Sequence, residues 1–275
     1  MCLLRAERCT SPERGLLRFL RPHFGRRLAC ALDVRHRRDA PEATPVLELS
    51  DAAAAAEGLY LHPRWPWRCG DYALILARRR WPRVAHFWLV EPDVHFGFAT
   101  AREAFALLDE SDADLVAHRF GPAGRDWRWH ASMAPHAKTV HACFFPLVRV
   151  SARLIDAVAA RRRAMARLGP DPDLWPNDEA VVATAAGEAG WKVDGLAARL
   201  GPDAVALSFV WRGERVHRLS RLQAQPPDGR LYHPAYGDAE YFRHIHALLR
   251  EQEVPASATP PTAATPDIVM PRRLA

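Results

Sequence analysis

The segment that decides the fold prediction is His86-Phe87-Trp88-Leu89-Val90-Glu91-Pro92-Asp93-Val94-His95-Phe96. Its first residues form a short apolar run with aromatic and branched side chains, which is typical of a buried strand. The run ends at two carboxylates, Glu91 and Asp93, and His95 follows two residues later. Because side chains alternate along a strand, these three are predicted to point to one side.

Acidic residues at the end of a buried strand are candidates for holding a divalent cation. Ligands bind α/β sheets at the carboxyl ends of the strands, and carboxylate oxygens suit Mg²⁺ or Mn²⁺. An acid-x-acid pair at that position can hold such an ion against a diphosphate. The local residues allow a second interpretation equally well, a solvated strand end whose acids begin a turn at Pro92.

The rest of the chain alternates between predicted strands and helices. Strands are predicted at 28–34, 45–49, 114–118, 142–150, 191–193 and 203–210, and helices at 11–20, 50–58, 71–80, 100–109, 151–168 and 177–190. Asn177 and Thr100 are suitable N-caps for two of these helices. The alternation predicts an α/β protein, a three-layer α/β/α sandwich on a mostly parallel mixed sheet.

Three regions are predicted along the chain. Residues 1–27 form an N-terminal basic helical segment, because arginines interrupt the apolar residues there. Residues 28–250 form the α/β domain. Residues 251–275 are rich in Pro, Ala and Thr and have no helical or strand period, so we predict a disordered tail.

Composition limits the partners. The chain has 275 residues, 49% hydrophobic and 25% charged, with a net charge of +6. A basic surface favours phosphate-bearing partners, including nucleotide sugars and anionic membrane. No RNA-recognition or helix-turn-helix motif accompanies the arginine clusters, so no nucleic-acid partner is predicted. The oligomeric state stays open.

The same composition predicts a location. The five cysteines form no CxxC pair, which favours a reducing compartment. No apolar stretch approaches the ~20 residues of a membrane span, and residues 1–27 contain no signal-peptide core. The prediction is a cytoplasmic protein. Contact of the basic N-terminal helix with the inner membrane face is an alternative, and packing of that helix against its own domain is favoured.

Four short segments in a fixed order carry a resemblance to a known family. They are Trp67-Arg68-Cys69-Gly70-Asp71-Tyr72, Glu91-Pro92-Asp93-Val94, Trp175-Pro176-Asn177-Asp178-Glu179 and Leu231-Tyr232-His233-Pro234. Together with the order of elements from about 28 to 235, they resemble a bacterial group of glycosyltransferase-like proteins of the GT-A type, the nucleotide-diphospho-sugar transferase fold.

The resemblance implies a set of site residues. Glu91 and Asp93 match the acid-x-acid motif that binds the metal, although the first acid here is glutamate and the middle residue is proline. His233 matches a histidine that completes the metal shell, with a loop histidine held by hydrogen bonds as the alternative. Asp178 or Glu179 matches the general base for the acceptor hydroxyl, with simple helix capping as the alternative. Three further residues are candidates for donor contacts, namely Arg68, Gly70 and Asp71. A plain helix N-cap is the alternative for Asp71, and an ion pair with Asp71 is the alternative for Arg68.

These expectations lead to one predicted function and two alternatives. The chain is predicted to move a sugar from a nucleotide-diphosphate donor to a saccharide or other hydroxyl acceptor, with Mn²⁺ or Mg²⁺ as cofactor. The first alternative is a catalytically silent GT-A-like protein that binds a saccharide or a partner, which the Glu-Pro-Asp departure favours. The second is a metal-dependent phosphodiesterase or nuclease, which requires a denser cluster of ligands.

Overall fold

The computed structural model describes residues 1–36, 40–41, 43–169, 171–211, 213 and 215–253. Its strands are β1 (Cys2–Ala6), β2 (Leu28–Asp33), β3 (Val46–Leu49), β4 (His86–Val90), β5 (His95–Phe96), β6 (Leu115–Pro122), β7 (His141–Ser151), β8 (Val193–Gly195), β9 (His217–Arg218), β10 (Leu231–Tyr232) and β11 (Ala235–Tyr236). The strands predicted at 28–34, 45–49, 114–118 and 142–150 are therefore present, and the strand predicted to begin at 191 begins at Val193.

The helices alternate with these strands. They are α1 (Ser11–Phe24), α2 (Asp51–Ala56), α3 (Trp65–Arg68), α4 (Asp71–Arg80), α5 (Ala101–Asp109), α6 (His130–Met133), α7 (Ala152–Ala166), α8 (Asp178–Glu188), α9 (Leu196–Leu200), α10 (Leu219–Gln223) and α11 (Asp238–Glu253). The predicted caps are confirmed, because Thr100 and Asn177 accept hydrogen bonds from the backbone of Glu103 and Ala180.

A seven-stranded mixed sheet lies at the centre of the described residues, in the order β3-β2-β1-β4-β7-β6-β8. Strand β1 is parallel to both β2 and β4. Strand β7 alone reverses direction, because it is antiparallel to β4 and β6. The helices cover both faces of this sheet, which confirms the predicted three-layer α/β/α sandwich.

Residues 2–6 form a strand at the centre of this sheet, which corrects the prediction that the first strand begins at residue 28. The remainder of the predicted helical segment at 1–27 contains helix α1. Strand β1 lies between β2 and β4, with Leu3 opposite both Ala29 and Leu89. Its apolar run is short and ends at Arg5, so it has no recognisable strand period. Pairing on both sides, with residues far along the chain, stabilises it.

Each face of the sheet has its own hydrophobic core. Leu3 and Leu89 lie in the core that packs against α4, α7 and α8. Leu4 and Val90 point to the other face, where the core packs against α1 and α5. The apolar side chains of α1 are buried in this second core, so the helix packs against its own domain. No helix in the described part of the chain is long and apolar enough to cross a membrane.

Two strand predictions are corrected. Strand β4 ends at Val90 instead of continuing to residue 96, because Pro92 has no N–H to donate and the chain turns there. His95 is separated in β5, which pairs with β10, so the three polar residues do not share one strand. Residues 203–210 form a turn after Pro202 and a single bridge from Phe209 to His233.

Part of the predicted tail at 251–275 is helical. Helix α11 extends to Glu253, so its backbone includes the first three residues of the predicted tail at 251–275. Residues 254–275 lie outside the described residues.

Candidate functional site

The site lies where the strand order changes direction. The chain builds β2 and β3 on one side of β1 and then places β4 on the other side. In parallel sheets such a switch point opens a crevice at the carboxyl ends of the two strands, and ligands bind there. Leu4 is opposite Val90 in the register of β1 and β4. The next residues, Arg5 and Glu91, therefore flank the crevice.

Arg5 binds the carboxylate of Glu91 with two hydrogen bonds. Its Nε donates to Oε1 at 2.8 Å and its Nη2 donates to Oε2 at 2.5 Å. Its Nη1 donates to the carbonyl oxygen of Pro66, at the start of α3. Burial raises the pKa of Glu91 while the charge of Arg5 opposes that change. Both oxygens of the first predicted metal ligand are thus engaged within the protein.

Asp93 and His233 face each other at the same edge of the sheet. Nε2 of His233 lies 3.4 Å from Oδ2 of Asp93. Burial alone would raise the pKa of Asp93, but the charge and hydrogen bond of His233 hold it below its ordinary value. Burial would lower the pKa of His233, and Asp93 raises it above its ordinary value instead. The two residues form an ion pair that is 140 positions apart in sequence.

The backbone around His233 fixes the orientation of its ring. Nδ1 of His233 donates to the carbonyl oxygen of Val210 at 2.8 Å. The N–H of His233 donates to the carbonyl oxygen of Ser208, and the N–H of Ala235 donates to that of Asp93. A histidine that donates from one ring nitrogen to a carbonyl keeps the other available as a metal ligand.

The pair Asp93 and His233 fits a divalent cation in part. It offers one carboxylate and one imidazole, ligands that Mn²⁺ accepts, and the orientation of His233 is the one that metal-binding histidines adopt. Glu91 does not fit, because Arg5 holds both of its oxygens. Within the described residues, no group of three or more His, Cys, Asp or Glu side chains is placed to hold a metal ion. Further ligands would come from donor phosphates and water.

Asp178, the first residue of α8, fastens that helix to the loop between α3 and α4. Its Oδ2 accepts a hydrogen bond from the N–H of Gly70 at 2.7 Å, and its Oδ1 accepts one from the N–H of Glu179. Burial raises its pKa well above the usual range, although Arg5 opposes this change. A Cβ on Gly70 would lie 2.7 Å from Oδ2 of Asp178. The contact between Asp178 and Gly70 thus holds the start of α8 against the start of α4, beside the crevice.

Glu179 is better placed than Asp178 to exchange a proton. Its side chain is partly exposed, and Oε2 accepts one hydrogen bond from the amide of Asn177 at 3.1 Å. Burial raises the pKa of Glu179 to about 7, although Asn177, the N–H of Phe145 and the charges of Arg128 and His233 oppose this change. A carboxylate whose pKa lies near neutral pH is suited to accept a proton.

Asp71 has a partner inside the protein. Both of its oxygens accept hydrogen bonds from the guanidinium of Arg162, at 2.7 and 2.8 Å, and both side chains are fully buried. Arg162 also donates to the carbonyl oxygen of Pro176, just before the N-cap of α8. The predicted donor contact through Asp71 is therefore replaced by a structural ion pair that holds α4, α7 and the start of α8 together.

Arg68 lies beside the crevice without an acidic partner among the described residues. Its Nη2 donates to the carbonyl oxygen of Asp173, and its guanidinium carbon lies 4.8 Å from the ring centroid of Trp129. The structure therefore brings together Glu91, Asp93, Asp178, Glu179, His233 and Gly70, with Arg68 adjacent to them.

Sequence reasoning missed the residues that neutralise these acids. Arg5 lies in a strand that the sequence did not predict, and Arg162 belongs to a run of three arginines for which the sequence predicted no site. The burial of Arg162 at every atom depends on how α7 packs against α4. The sequence did contain a signal for this burial. Helix α7 has an apolar face, and in a run of three consecutive helical residues one side chain is expected to lie on that face.

An open groove lies at the other end of α8. It has a volume of about 720 Å³ and is lined by His136, Lys138, His141 and Glu188, among others. Asp178 and Glu188 are the two ends of an eleven-residue helix, which places them about 15 Å apart along its axis. The groove is therefore separate from the acidic residues at the start of α8.

Comparisons with known proteins give no family assignment. No protein-family model matches the sequence. No curated protein matches it either.

Proposed function

We propose that this chain is a metal-dependent glycosyltransferase that moves a sugar from a nucleotide-diphosphate donor to a hydroxyl acceptor. The observation that carries the proposal is the meeting of Asp93, His233 and Glu179 at the switch-point edge of the sheet. Open α/β sheets bind their ligands at such an edge. The three residues supply the two functions that the reaction needs, a site for the leaving diphosphate and an acceptor for a proton.

The donor side of the reaction would use Asp93 and His233. These residues would hold Mn²⁺ or Mg²⁺, which when bound supplies Lewis-acid stabilisation of the charge that develops on the leaving diphosphate. Arg5 keeps Glu91 neutralised beside them. Gly70 lets the backbone approach Asp178 and Arg5 closely.

The acceptor side would use Glu179. The acceptor oxygen attacks the anomeric carbon of the donor, the bond from that carbon to the diphosphate oxygen breaks, and the acceptor proton passes to Glu179. A pKa of about 7 leaves a large fraction of this carboxylate ionised at neutral pH and matches its proton affinity to the task. Asp178 would position Glu179 through the start of α8.

A second candidate has its own observation. The capture of Glu91 by Arg5 removes one acid of the acid-x-acid motif from metal binding. This observation favours a catalytically silent protein of the same fold that binds a saccharide or a partner. The two candidates differ in whether the chain binds a nucleotide sugar in a metal-dependent manner and releases nucleoside diphosphate.

The experiment is a thermal-shift screen of nucleotide sugars and nucleoside diphosphates with and without Mn²⁺, followed by assay of nucleoside diphosphate release. A ligand at ~100 times its dissociation constant stabilises the fold by about 2.7 kcal/mol. The proposal expects stabilisation by one nucleotide family that requires Mn²⁺ and is lost in Asp93→Asn. The control is Arg80→Gln, a change at an exposed residue at the end of α4.

The outcomes separate the candidates. Metal-dependent stabilisation with slow release of nucleoside diphosphate supports a transferase. Metal-independent binding of saccharides without any nucleotide response would establish the silent binding protein. A response that is equal in wild type and Asp93→Asn would remove Asp93 from the proposed donor site.

A further inference from the structure

Three arginines and two tryptophans cluster on one wall of the crevice. Arg64, Trp67 and Arg68 come from α3 and the residue before it, and Arg128 and Trp129 precede α6. We call these five residues the arginine–tryptophan cluster. The ring centroids of Trp67 and Trp129 are 6.5 Å apart. This ring contact therefore links α3 to the residues that precede α6.

Each guanidinium of the cluster packs against an indole ring. The guanidinium carbons of Arg68 and Arg128 lie 4.8 and 4.4 Å from the centroid of Trp129. That of Arg64 lies 5.7 Å from the centroid of Trp67. Such contacts orient the planar guanidinium groups.

Arg68 is the buried member of the cluster. Only 5% of its surface is exposed, and its Nε has no hydrogen-bond partner. A buried donor of a charged group that has no hydrogen-bond partner is unfavourable, because it has lost its contact with water. Arg64, Trp67 and Arg128 are exposed around it. At the bottom of the cluster, the positively charged side chain of Arg68 thus has one unpaired hydrogen-bond donor. Exposed side chains surround it.

The surrounding charges make this position strongly positive. Burial lowers the pKa of Arg68, and the charges of Arg64, Arg162 and Arg128 lower it further. Arg162 is already neutralised by Asp71. Among the described residues, neither Arg64 nor Arg68 forms an ion pair with an acid. An anion placed here would relieve repulsion between like charges as well as form hydrogen bonds.

The cluster borders the acids of the crevice. Arg5 donates hydrogen bonds to the carbonyl oxygens of Pro66 and Trp67. Two residues after Arg68, the N–H of Gly70 donates to Asp178. The charge of Arg128 acts on Glu179 and opposes the rise in its pKa that burial causes. A molecule held by the cluster would therefore lie beside the proposed base.

We propose that the arginine–tryptophan cluster binds a carboxylate or phosphate on the acceptor, so that the acceptor is an anionic saccharide. This inference rests on the proposed function, because it takes the bound molecule to be the acceptor. Guanidinium groups recognise carboxylate and phosphate through paired hydrogen bonds. The exposed ring of Trp67, with 48% of its surface accessible, offers an apolar face beside these charges for a sugar ring.

The experiment measures binding to the full chain by titration calorimetry at low ionic strength. The probes are tetragalacturonate against the neutral cellotetraose, and glucose 6-phosphate against glucose. We expect at least one anionic probe to bind tenfold or more tightly than its neutral counterpart. Because exposed charges are screened by salt, that preference is expected to weaken in 0.5 M NaCl. Equal binding of both charged probes and their neutral counterparts would overturn the inference.

Variants locate the binding. Two variants are used, Arg68→Met and the double variant Arg64→Gln/Arg128→Gln. The double variant changes only exposed residues, so it is expected to fold even if Arg68→Met does not. Binding of the anionic probe is expected to weaken at least tenfold in either variant. Arg80→Gln is the matched control, because Arg80 packs on Trp81 at 5.8 Å but lies at the far end of α4. An unchanged affinity in the double variant would place the anion elsewhere and overturn the inference.

A last titration distinguishes binding of the acceptor at the cluster from binding of the donor phosphates there. Nucleoside diphosphates are titrated into wild type and the double variant with Mn²⁺ present. A large loss of nucleotide affinity in the double variant would assign the cluster to the donor phosphates and overturn the inference. Anionic saccharide binding that requires the cluster, in a chain that binds no nucleotide, would uphold the anion site while the glycosyltransferase proposal fails.

Discussion

Arg5 and Glu91, 86 residues apart in sequence, form a two-pronged ion pair at the carboxyl ends of β1 and β4. The side chains are only 12% and 14% exposed. The pair bridges the ends of the two strands and removes Glu91 from the candidate metal ligands. The site therefore contains a neutralised acid, Glu91, next to an acid paired with a histidine, Asp93.

Removing one partner of the first pair is expected to destabilise the fold. In Glu91→Gln the guanidinium of Arg5 stays largely buried and loses its countercharge. Breaking buried pairs in this way lowers the free energy of unfolding by about 3–5 kcal/mol, and partial exposure places this pair near the lower value. Urea unfolding measures the change. Asp156→Asn, which breaks the more exposed pair with Arg78, is the control and should change stability by less than about 1 kcal/mol.

Metal affinity is expected to depend on Asp93 and His233 and not on Glu91. Asp93→Asn and His233→Ala each remove a proposed ligand, so we expect Mn²⁺ binding, measured by electron paramagnetic resonance in the presence of nucleoside diphosphate, to weaken at least tenfold. Glu91→Gln should change it less than threefold, since Arg5 already occupies that carboxylate. Comparable losses in Glu91→Gln would mean that Arg5 releases Glu91 when metal binds.

Activity is expected to rise with pH through about 7, because Glu179 acts in its ionised form and burial raises its pKa to about that value. Glu179→Gln should bind the donor and transfer no sugar. The measurement is the pH profile of nucleoside diphosphate release. A profile that is flat between pH 5 and 9 in the wild type would contradict the assignment of Glu179 as base.

The same pKa makes a prediction about stability. The folded state raises the pKa of Glu179, so its contribution to stability is present below the ordinary pKa of a glutamate and is lost as pH rises through about 7. Glu179→Gln cannot ionise. Relative to wild type, the free energy of unfolding of this variant should therefore increase between pH 5 and pH 8, by up to about 3 kcal/mol. Urea unfolding at both pH values tests the sign.

Gly70→Ala is expected to disturb the site although its backbone angles suit alanine. Gly70 has a φ of −58°, so the change introduces no backbone strain. The new methyl group would lie 2.7 Å from Oδ2 of Asp178 and 3.4 Å from Cζ of Arg5. We expect weaker nucleotide binding and a lower melting temperature. Gly15→Ala is the control. The nearest atom to a Cβ there is Nη2 of Arg18 at 3.9 Å, an ordinary contact, and alanine in helix α1 should stabilise the chain by about 0.5–1 kcal/mol.

Asp71 and Arg162 should behave as one unit in a double-mutant cycle. Arg162→Met and Asp71→Leu each leave a fully buried charge unpaired, which lowers stability by about 3–5 kcal/mol. The double variant replaces both charges with apolar groups, so its loss should be smaller than the sum of the two single losses. Denaturant unfolding measures the coupling. Additive losses would show that Arg162 acts mainly through its hydrogen bond to Pro176.

The sequence predicted the local elements well where periodicity and caps were strong. Helix α4 has the predicted bounds, and Asn177 caps α8 as expected. It failed at β1, because three apolar residues before Arg5 have no strand period. It also failed after Val90, where the turn at Pro92 ends a strand that the residue types alone would continue to residue 96.

The sequence by itself determined the α/β alternation, the order of elements and the acidic residue types that follow β4 and begin α8. Those features depend on neighbours a few residues away, whose spacing is visible in the chain. Only the tertiary structure decided which charges meet. Arg5 reaches Glu91, Arg162 reaches Asp71 and His233 reaches Asp93 because sheet register and helix packing bring together residues more than 80 positions apart. Burial then makes each such pairing energetically necessary.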